Sequence, residues 1–506
     1  MTTVHKRGSE EGKPLFKKHQ APHVAAIIVT WNKKHFVTRL LKQLEAINYP
    51  PDKLSVTVVD NNSSDGTVDV ISSSFPWVRL IQNPSNLGGT GGFNCGMKRA
   101  LEEKPQSKYL WLLDNDVLVD RNALSSLVAV LEQHTDAAIC GSRIMDVDNT
   151  DELIEVGAFI DRKMGIIRRN MPVNETVGDS DAIFEVDYVA ACSLLARIDD
   201  VKQIGLWHNH FFIYWDDMEW GARFNSFGYK VLAANASIVY HPSWVGRIAD
   251  SSAIWRSYYR TRNSLWFYNN YLNGIRRRLT IMFMITRFIT HAFASCVSAR
   301  SGVSQAFLEG IGDFFRGRYG KKEFQMPETD IQRYLAKEDK KNVGLFLSGL
   351  EVWGDVRRFM DNLKKTCSEL SIVAVVPKTL KSKCEKVFGK SNVIGYTKLK
   401  NGSIPLTDKW KIIRFIKKRP WEFLLTSSVV SRIVAVCGRD VIRMSFEDGR
   451  VMDIGRMKLK ELLLIPFSYP FFVLKVLFYL PQKDLDWIET IEKKRRRRFK
   501  PQFTKP

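Results

Sequence analysis

Two aspartates separated by one residue, Asp114 and Asp116, close the apolar run Tyr109–Leu113. Carboxylates at i and i+2 on a strand-to-loop transition can both reach one hard cation once the loop bends. Mg2+ or Mn2+ held there would bridge them to a diphosphate and neutralise charge on a leaving nucleotide. The same spacing also occurs as a solvated turn that caps a helix, and the motif alone leaves both open. His241 follows the apolar run Ala236–Tyr240. A neutral imidazole at a strand end offers a third metal ligand or a purely structural hydrogen bond. Phe211–Trp220 reads FFIYWDDMEW. A carboxylate among aromatics can serve as general base for an attacking hydroxyl, which makes Asp217 and Glu219 candidates. The alternative is an exposed helix start with aspartate at its N-cap.

A glycine-rich stretch, Asn86–Phe93 (NLGGTGGF), precedes a helical pattern, and its backbone could approach a phosphate closely. It is a poor dinucleotide fingerprint. It follows the third strand rather than the first, and the third glycine position is not met.

The elements that must position these residues alternate. His23–Trp31, Leu54–Asp60, Val78–Gln82 and Tyr109–Leu113 read as strands, with helical spacing over 35–47 and 91–103. Such alternation predicts βαβ units and a largely parallel sheet. Thr30-Trp31-Asn32, Asp60-Asn61-Asn62, the glycine stretch and Asp114-Asn115-Asp116 then all fall at the C-terminal strand ends, where open α/β sheets bind ligands.

Charge is segregated. The net charge is +22, yet residues 21–245 carry 20 Lys/Arg against 28 Asp/Glu, whereas 246–506 carry 51 against 24. A basic half calls for an anionic partner. Nucleic-acid binding predicts basic residues interleaved with aromatics on one folded surface. The densest charge is instead the run Lys493–Arg498, close to an apolar segment, which favours a membrane and no nucleic-acid partner. Seven scattered cysteines without a CxxC pair suit a reducing cytoplasm. Residues 1–22 are polar and basic, a flexible lead-in rather than a signal peptide.

The motif order VTWN, VVDNNSSDGT, NPSNLGGTGGFNCGM, LLDNDV, FFIYWDDMEWGAR, VYHPSW and YYRTRNSLWF resembles family 2 glycosyltransferases over roughly residues 23–270. Within that family it is most similar to bacterial galactofuranosyltransferases, with rhamnosyltransferases next. The resemblance implies a GT-A fold and inverting transfer. It assigns Asp114, Asp116 and His241 to the metal (Mn2+ or Mg2+) and Asp217 to the catalytic base. Thr30, Asp60, Asn86, Asp114, Trp215 and Arg262 fall to the nucleotide sugar. Asp216, Glu219 and Trp244 fall to the acceptor side. Asn115 departs from the D-D-D of the galactan polymerases. Ala190-Ala191-Cys192 departs from their tryptophan-rich acceptor segment and is closer to rhamnosyltransferases. The implied partners are a UDP- or dTDP-linked donor and a glycan acceptor, lipid-linked, at the inner membrane surface.

The expected organisation is α/β. A GT-A (Rossmann-like) domain over 23–250 is followed by a helical basic region over 251–340, a second small α/β domain over 341–455 and a membrane-associating tail over 456–506. Leu459–Leu480 approaches the ~20 apolar residues a membrane span needs. Its two prolines, Glu461 and Lys475 favour an interfacial helical hairpin, peripheral on the cytoplasmic face.

Overall fold

The structure is a computed structural model of the chain. It describes residues 21–103, 106–171, 181–242, 252–324, 342–348, 353–366, 370–398, 404–418, 421–427, 440–444, 451–455 and 459–483. The polybasic run 493–498 and Trp244 lie outside these residues.

The N-terminal half is built on one mixed sheet. Its strands are β1 (Val24–Thr30), β2 (Leu54–Asp60), β3 (Arg79–Gln82), β4 (Tyr109–Asp114), β5 (Leu118–Val119), β6 (Ala137–Asp146), β7 (Leu153–Glu155), β10 (Ile183–Val186), β11 (Ser193–Arg197) and β12 (Lys230–His241). A separate hairpin pairs β8 (Ala158–Asp161) with β9 (Ile166–Arg169). The order is β10-β12-β6-β11-β4-β1-β2-β3, with β5 on β12 and β7 on β6. β1 to β4 are mutually parallel, and β12 runs parallel to β6. The sheet is less parallel than the alternation suggested. After β8–β10 the chain re-enters from the opposite end, so β11 runs antiparallel to both β4 and β6.

Helices α1 (Lys34–Leu44), α2 (Thr67–Ser74), α3 (Gly88–Glu102), α4 (Ala123–Gln133), α5 (Ile198–Ile204) and α6 (Asp216–Ser226) cover this sheet. Apolar side chains alternate along β1 between two cores. Val24, Ala26 and Ile28 face one, and Ala25 and Ile27 face the other. The glycines of α3 serve this packing. A Cβ on Gly96 would lie 2.3 Å from Ile27 Cγ2, and one on Gly92 would lie 2.5 Å from Val29 Cγ1. The helix therefore presses directly onto β1. Gly92 is inside the helix and buried rather than in a phosphate-facing loop.

Among the described residues three further helices follow: α7 (Ser252–Tyr271), α8 (Gly274–Val297) and α9 (Ser301–Phe315). A second sheet contains β13 (Asn342–Phe346), β14 (Ser371–Pro377), β15 (Val393–Tyr396), β16 (Phe423–Thr426), β17 (Asp440–Met444) and β18 (Val451–Gly455). Its order, β15-β14-β13-β16-β17-β18, is that of doubly wound folds, and only β18 is antiparallel. Helices α10 (Trp353–Thr366), α11 (Lys378–Phe388) and α12 (Leu406–Lys418) connect these strands. The last helix among the described residues, α13 (Leu459–Phe478), continues through Pro466 and Pro470 as one helix of 20 residues. It is one unbroken helix and not the interfacial helical hairpin expected from the prolines. Its packing partner is α8, and tertiary contact holds it where propensity alone would break it.

Candidate active site

Strand geometry brings the metal-ligand candidates together. β4 delivers Asp114 at its last residue, and the chain turns through Asp116 into β5. β5 pairs antiparallel with β12, setting Leu118 opposite Tyr240, and this places His241 beside Asp116. His241 Nε2 lies 3.2 Å from Asp116 Oδ1 and 3.9 Å from Asp114 Oδ2. One ligand atom from each residue lies within 4.8 Å of the other two. The other ring nitrogen, Nδ1, donates to Pro242 O at 2.9 Å, which turns Nε2 to the carboxylates, where it bonds Asp116 when protonated and would offer its lone pair to a bound cation. Two hard oxygens and an oriented imidazole suit a divalent cation with ligands at ~2.1 Å.

The charges are frustrated without a cation. Burial, then the neighbouring Asp116, pushes Asp114 up to about 7. Asp116 titrates below the usual carboxylate range. Burial opposes this, but the hydrogen bond and charge of His241 prevail. His241 is raised, because the bond to Asp116 and the two carboxylates outweigh its burial.

Asn115 has a structural reason for being an amide. Its Nδ2 donates to Val29 O at 3.1 Å and approaches Thr30 Oγ1 at 3.4 Å, tying the ends of β4 and β1 together. A carboxylate could not donate there. Thr30 is buried beside it.

Asp60, at the end of β2, is 1% exposed. Its Oδ2 accepts from Ser63 N at 2.9 Å, while Oδ1 has no hydrogen-bond partner among the described residues. A buried acceptor left open at a strand end is matched to a ligand hydroxyl or N–H. Asn86 Oδ1 accepts from Gly88 N at 2.8 Å and so starts α3. Asn61 Nδ2 donates to Gly88 O at 2.9 Å, fixing the helix start to β2.

Asp217 enters at the head of α6. The two residues before the helix, Tyr214 and Trp215, both have positive φ (66° and 70°). Asn263 of α7 holds this kink by donating Nδ2 to Ile213 O and Tyr214 O, each at 2.9 Å. Asp217 accepts from Met218 N (2.7 Å) and Ala191 N (3.3 Å). Burial, then the charge of Asp216 and more weakly of Asp114, raises its proton affinity well above that of an ordinary aspartate.

Four assignments to ligand-facing positions change. Asp216 accepts from Thr90 Oγ1 at 2.7 Å and from Asp217 N at 3.1 Å, so it joins α6 to α3 instead of facing an acceptor. Glu219 is fully buried, paired with Arg223 (3.0 and 2.5 Å) and accepting from the Tyr271 hydroxyl at 2.7 Å. Trp215 is buried against Phe267 and Tyr268. Arg262 is 1% exposed and donates to Gly320 O and His210 O among three tyrosine rings, so it buttresses the 208–215 loop. The aromatic left open at the β1 end is Trp31.

Sequence reasoning missed Glu155 and Arg260. Glu155 on β7 is buried, with Oε1 unpartnered among the described residues and Arg169 Nε at 3.6 Å from Oε2. Burial pushes it up to about 7, against the pull of Arg169 and His241. Its only sequence signal is a lone charge inside LIEV. Arg260 is exposed over the Tyr214 ring, 5.5 Å from its centroid, and nothing in its local sequence separates it from the other arginines of α7.

Residues 25–202 match the family described as "Glycosyl transferase family 2". Over these residues the chain matches a family 2 glycosyltransferase domain, built on a GT-A-like mixed sheet. Among curated relatives it is similar to "Galactofuranosyltransferase GlfT2" of Mycolicibacterium smegmatis, 23% identical over 264 residues, covering 48% of this chain and 40% of that protein. It is also similar to "Glycosyltransferase AglE" of Haloferax volcanii, 24% identical over 225 residues, covering 44% and 67%. The match thus spans less than half the length of the galactofuranosyltransferase. Among solved structures, a mannosyltransferase of Pyrobaculum calidifontis in complex with GDP-Man and Mn2+ aligns at 14% identity with a TM-score of 0.39, covering 58% of this chain and 75% of that one.

Proposed function

We propose that this domain transfers a sugar, galactofuranose from UDP-galactofuranose, to a hydroxyl of a lipid-linked or cell-surface glycan, with inversion. The observation that carries the reading is the meeting of Asp114, Asp116 and His241 within 4.8 Å, with Asp217 at the head of α6 near enough to feel the charge of Asp114. Similarity to galactofuranosyltransferases supports the choice of sugar.

Asp217 takes the proton of the acceptor hydroxyl as that oxygen attacks the anomeric carbon. The bond from that carbon to the diphosphate breaks on the opposite face. A proton affinity above that of an exposed carboxylate suits this step. Asp114, Asp116 and His241 hold Mn2+ or Mg2+, which when bound neutralises charge on the departing diphosphate. The open oxygen of Asp60 accepts a hydrogen bond from the nucleotide.

A dTDP-rhamnose donor is a second reading. The resemblance of Ala190-Ala191-Cys192 to rhamnosyltransferases favours it, and this segment adjoins the site, where Ala191 N donates to the Asp217 carboxylate. Thermal stabilisation by a panel of nucleotide sugars, each with and without Mn2+, distinguishes the two. Asp217→Asn should keep metal-dependent donor binding and lose transfer. Full turnover by that variant would remove Asp217 as the base.

A further inference from the structure

Helices α8 and α13 pack side by side and run antiparallel. Arg278 at the start of α8 donates to Leu477 O near the end of α13, and Thr286 Oγ1 donates to Tyr469 OH at 3.1 Å. Arg277 Nη2 donates to Pro481 O at 2.6 Å, and Lys483 donates to Asn273 Oδ1. α13 has two stripes at helical spacing. Ile465, Phe472 and Val476, with Leu462 and Tyr469, join the same core as Ile281, Met284, Ile285 and Phe288 of α8. The opposite stripe, Leu463, Phe467, Phe471, Leu474 and Phe478, is exposed, with Phe467 at 75% and Phe478 at 72%. On α8, Ile275 (71%), Leu279 and Phe283 form a matching exposed stripe. Both helices bury their inner stripes in one core, so both outer stripes point away from it.

From this we infer that the paired outer faces of α8 and α13 form a docking surface that lies in the interface of an anionic lipid bilayer. The surface goes beyond the transferase reading and does not depend on it. So large an apolar face on two adjacent helices exceeds the scattered exposed hydrophobics normal for a soluble surface. α8 is long and apolar enough to cross a membrane. Its other face is committed to the protein core, which sets it along the membrane plane instead. The charge around the face selects the occupant. α8 contains Arg276, Arg277, Arg278 and Arg287 and no acidic residue. Arg276 and Arg278 are exposed at the end where the two helices are pinned. Lys475 lies over the Phe471 and Phe315 rings with its ammonium 4.7 and 5.4 Å from their centroids, a stem packed on apolar surface with a charged head. Anionic headgroups neutralise this rim, whereas a second copy of the same face would bring its arginines into one interface.

Flotation of the full chain with vesicles tests this. The wild-type protein is expected to float with phosphatidylcholine vesicles containing phosphatidylglycerol, less with phosphatidylcholine alone, and less again at high salt. Phe467→Glu combined with Phe471→Glu, and separately Ile275→Glu, should each reduce partitioning about tenfold or more. Their melting temperature should change little and their Mn2+-dependent donor stabilisation should stay unchanged, since these side chains are mostly exposed and none belongs to the site. Phe467→Ser is the milder variant should the double substitution impair folding. Wild-type protein that stays in solution with anionic vesicles overturns the inference. So does unchanged binding by the variants, or a vesicle-independent dimer that the same variants dissolve. Loss of glycosyl transfer with flotation intact would count against the transferase reading alone.

Discussion

His241 Nε2 sits 3.2 Å from Asp116 Oδ1, although more than a hundred residues separate the two in sequence. The contact is made by a two-residue strand, β5, whose pairing with β12 sets Leu118 against Tyr240. The same contact accounts for the opposite titration of neighbouring carboxylates: Asp116 takes the hydrogen bond of the imidazole, and Asp114, half-exposed and 3.9 Å from Nε2, is left facing the charge of Asp116.

Replacing one metal-ligand candidate should therefore have opposite effects with and without metal. Asp114→Asn relieves repulsion between two close carboxylates and should raise the melting temperature of metal-free protein, by about 1 kcal/mol of stability. The same variant should lose the stabilisation by Mn2+ with nucleotide, about 2.7 kcal/mol at a hundredfold excess over Kd. Differential scanning fluorimetry reads both. Equal metal stabilisation of variant and wild type would remove Asp114 from the site.

Glu155 gives a pH signature. Its folded-state value is pushed up to about 7, above the ordinary glutamate value, so the folded protein binds the proton more tightly than the unfolded chain does. Stability from this group is fully present below the unfolded value and is lost as pH rises through about 7. Glu155→Gln removes the charge and should be more stable than wild type at pH 8, by about 1–3 kcal/mol, with little difference at pH 4. Urea unfolding at the two pH values measures this, and a difference that stays constant with pH would contradict it.

Glu219 should behave as a structural residue. Removing one partner from a buried pair leaves Arg223 uncompensated, so Glu219→Gln should cost about 3 kcal/mol. Glu219→Leu combined with Arg223→Met should recover only part of that loss, because the Tyr271 hydroxyl and the carbonyls of Ile204 and Leu206 lose their partners. Donor KM should be unchanged in protein that remains folded. A variant of full stability with impaired acceptor use would return Glu219 to the acceptor side.

Gly96→Ala tests the role of the glycine stretch. The added methyl would sit 2.3 Å from Ile27, and overpacking of this kind costs about 1–3 kcal/mol. Stability should fall, measured by thermal melting, while donor affinity in the folded protein is retained. Loss of donor binding at unchanged stability would restore a phosphate-contacting role.

Much of the site was legible because its residues stand at strand ends. A β-branched apolar run followed by polar residues marks such an end in sequence, and Thr30, Asp60 and Asp114 were found in that way. The residues that failed were those on or beside helices. Trp215, Glu219 and Arg262 have types that suit ligands, but α7 packs over the head of α6 and buries Trp215 and Glu219, while Arg262, on α7 itself, is turned into the 208–215 loop and Gly320. The glycines of α3 failed for a related reason. A missing side chain looks the same in sequence whether a phosphate or a neighbouring strand fills the space.

The sequence by itself determined the alternation of the first half, the acidic pair at the end of β4, the aspartates heading α6 and the separation of charge between the halves. These depend on local period and residue type, which need no distant partner. Only the tertiary structure decided that His241 meets Asp116, that Asp216 and Glu219 are spent on packing, and that α13 runs unbroken beside α8 with one apolar stripe in the core and one outside. Each of these follows from which buried surfaces find one another, and burial is a property of the assembled chain rather than of any segment.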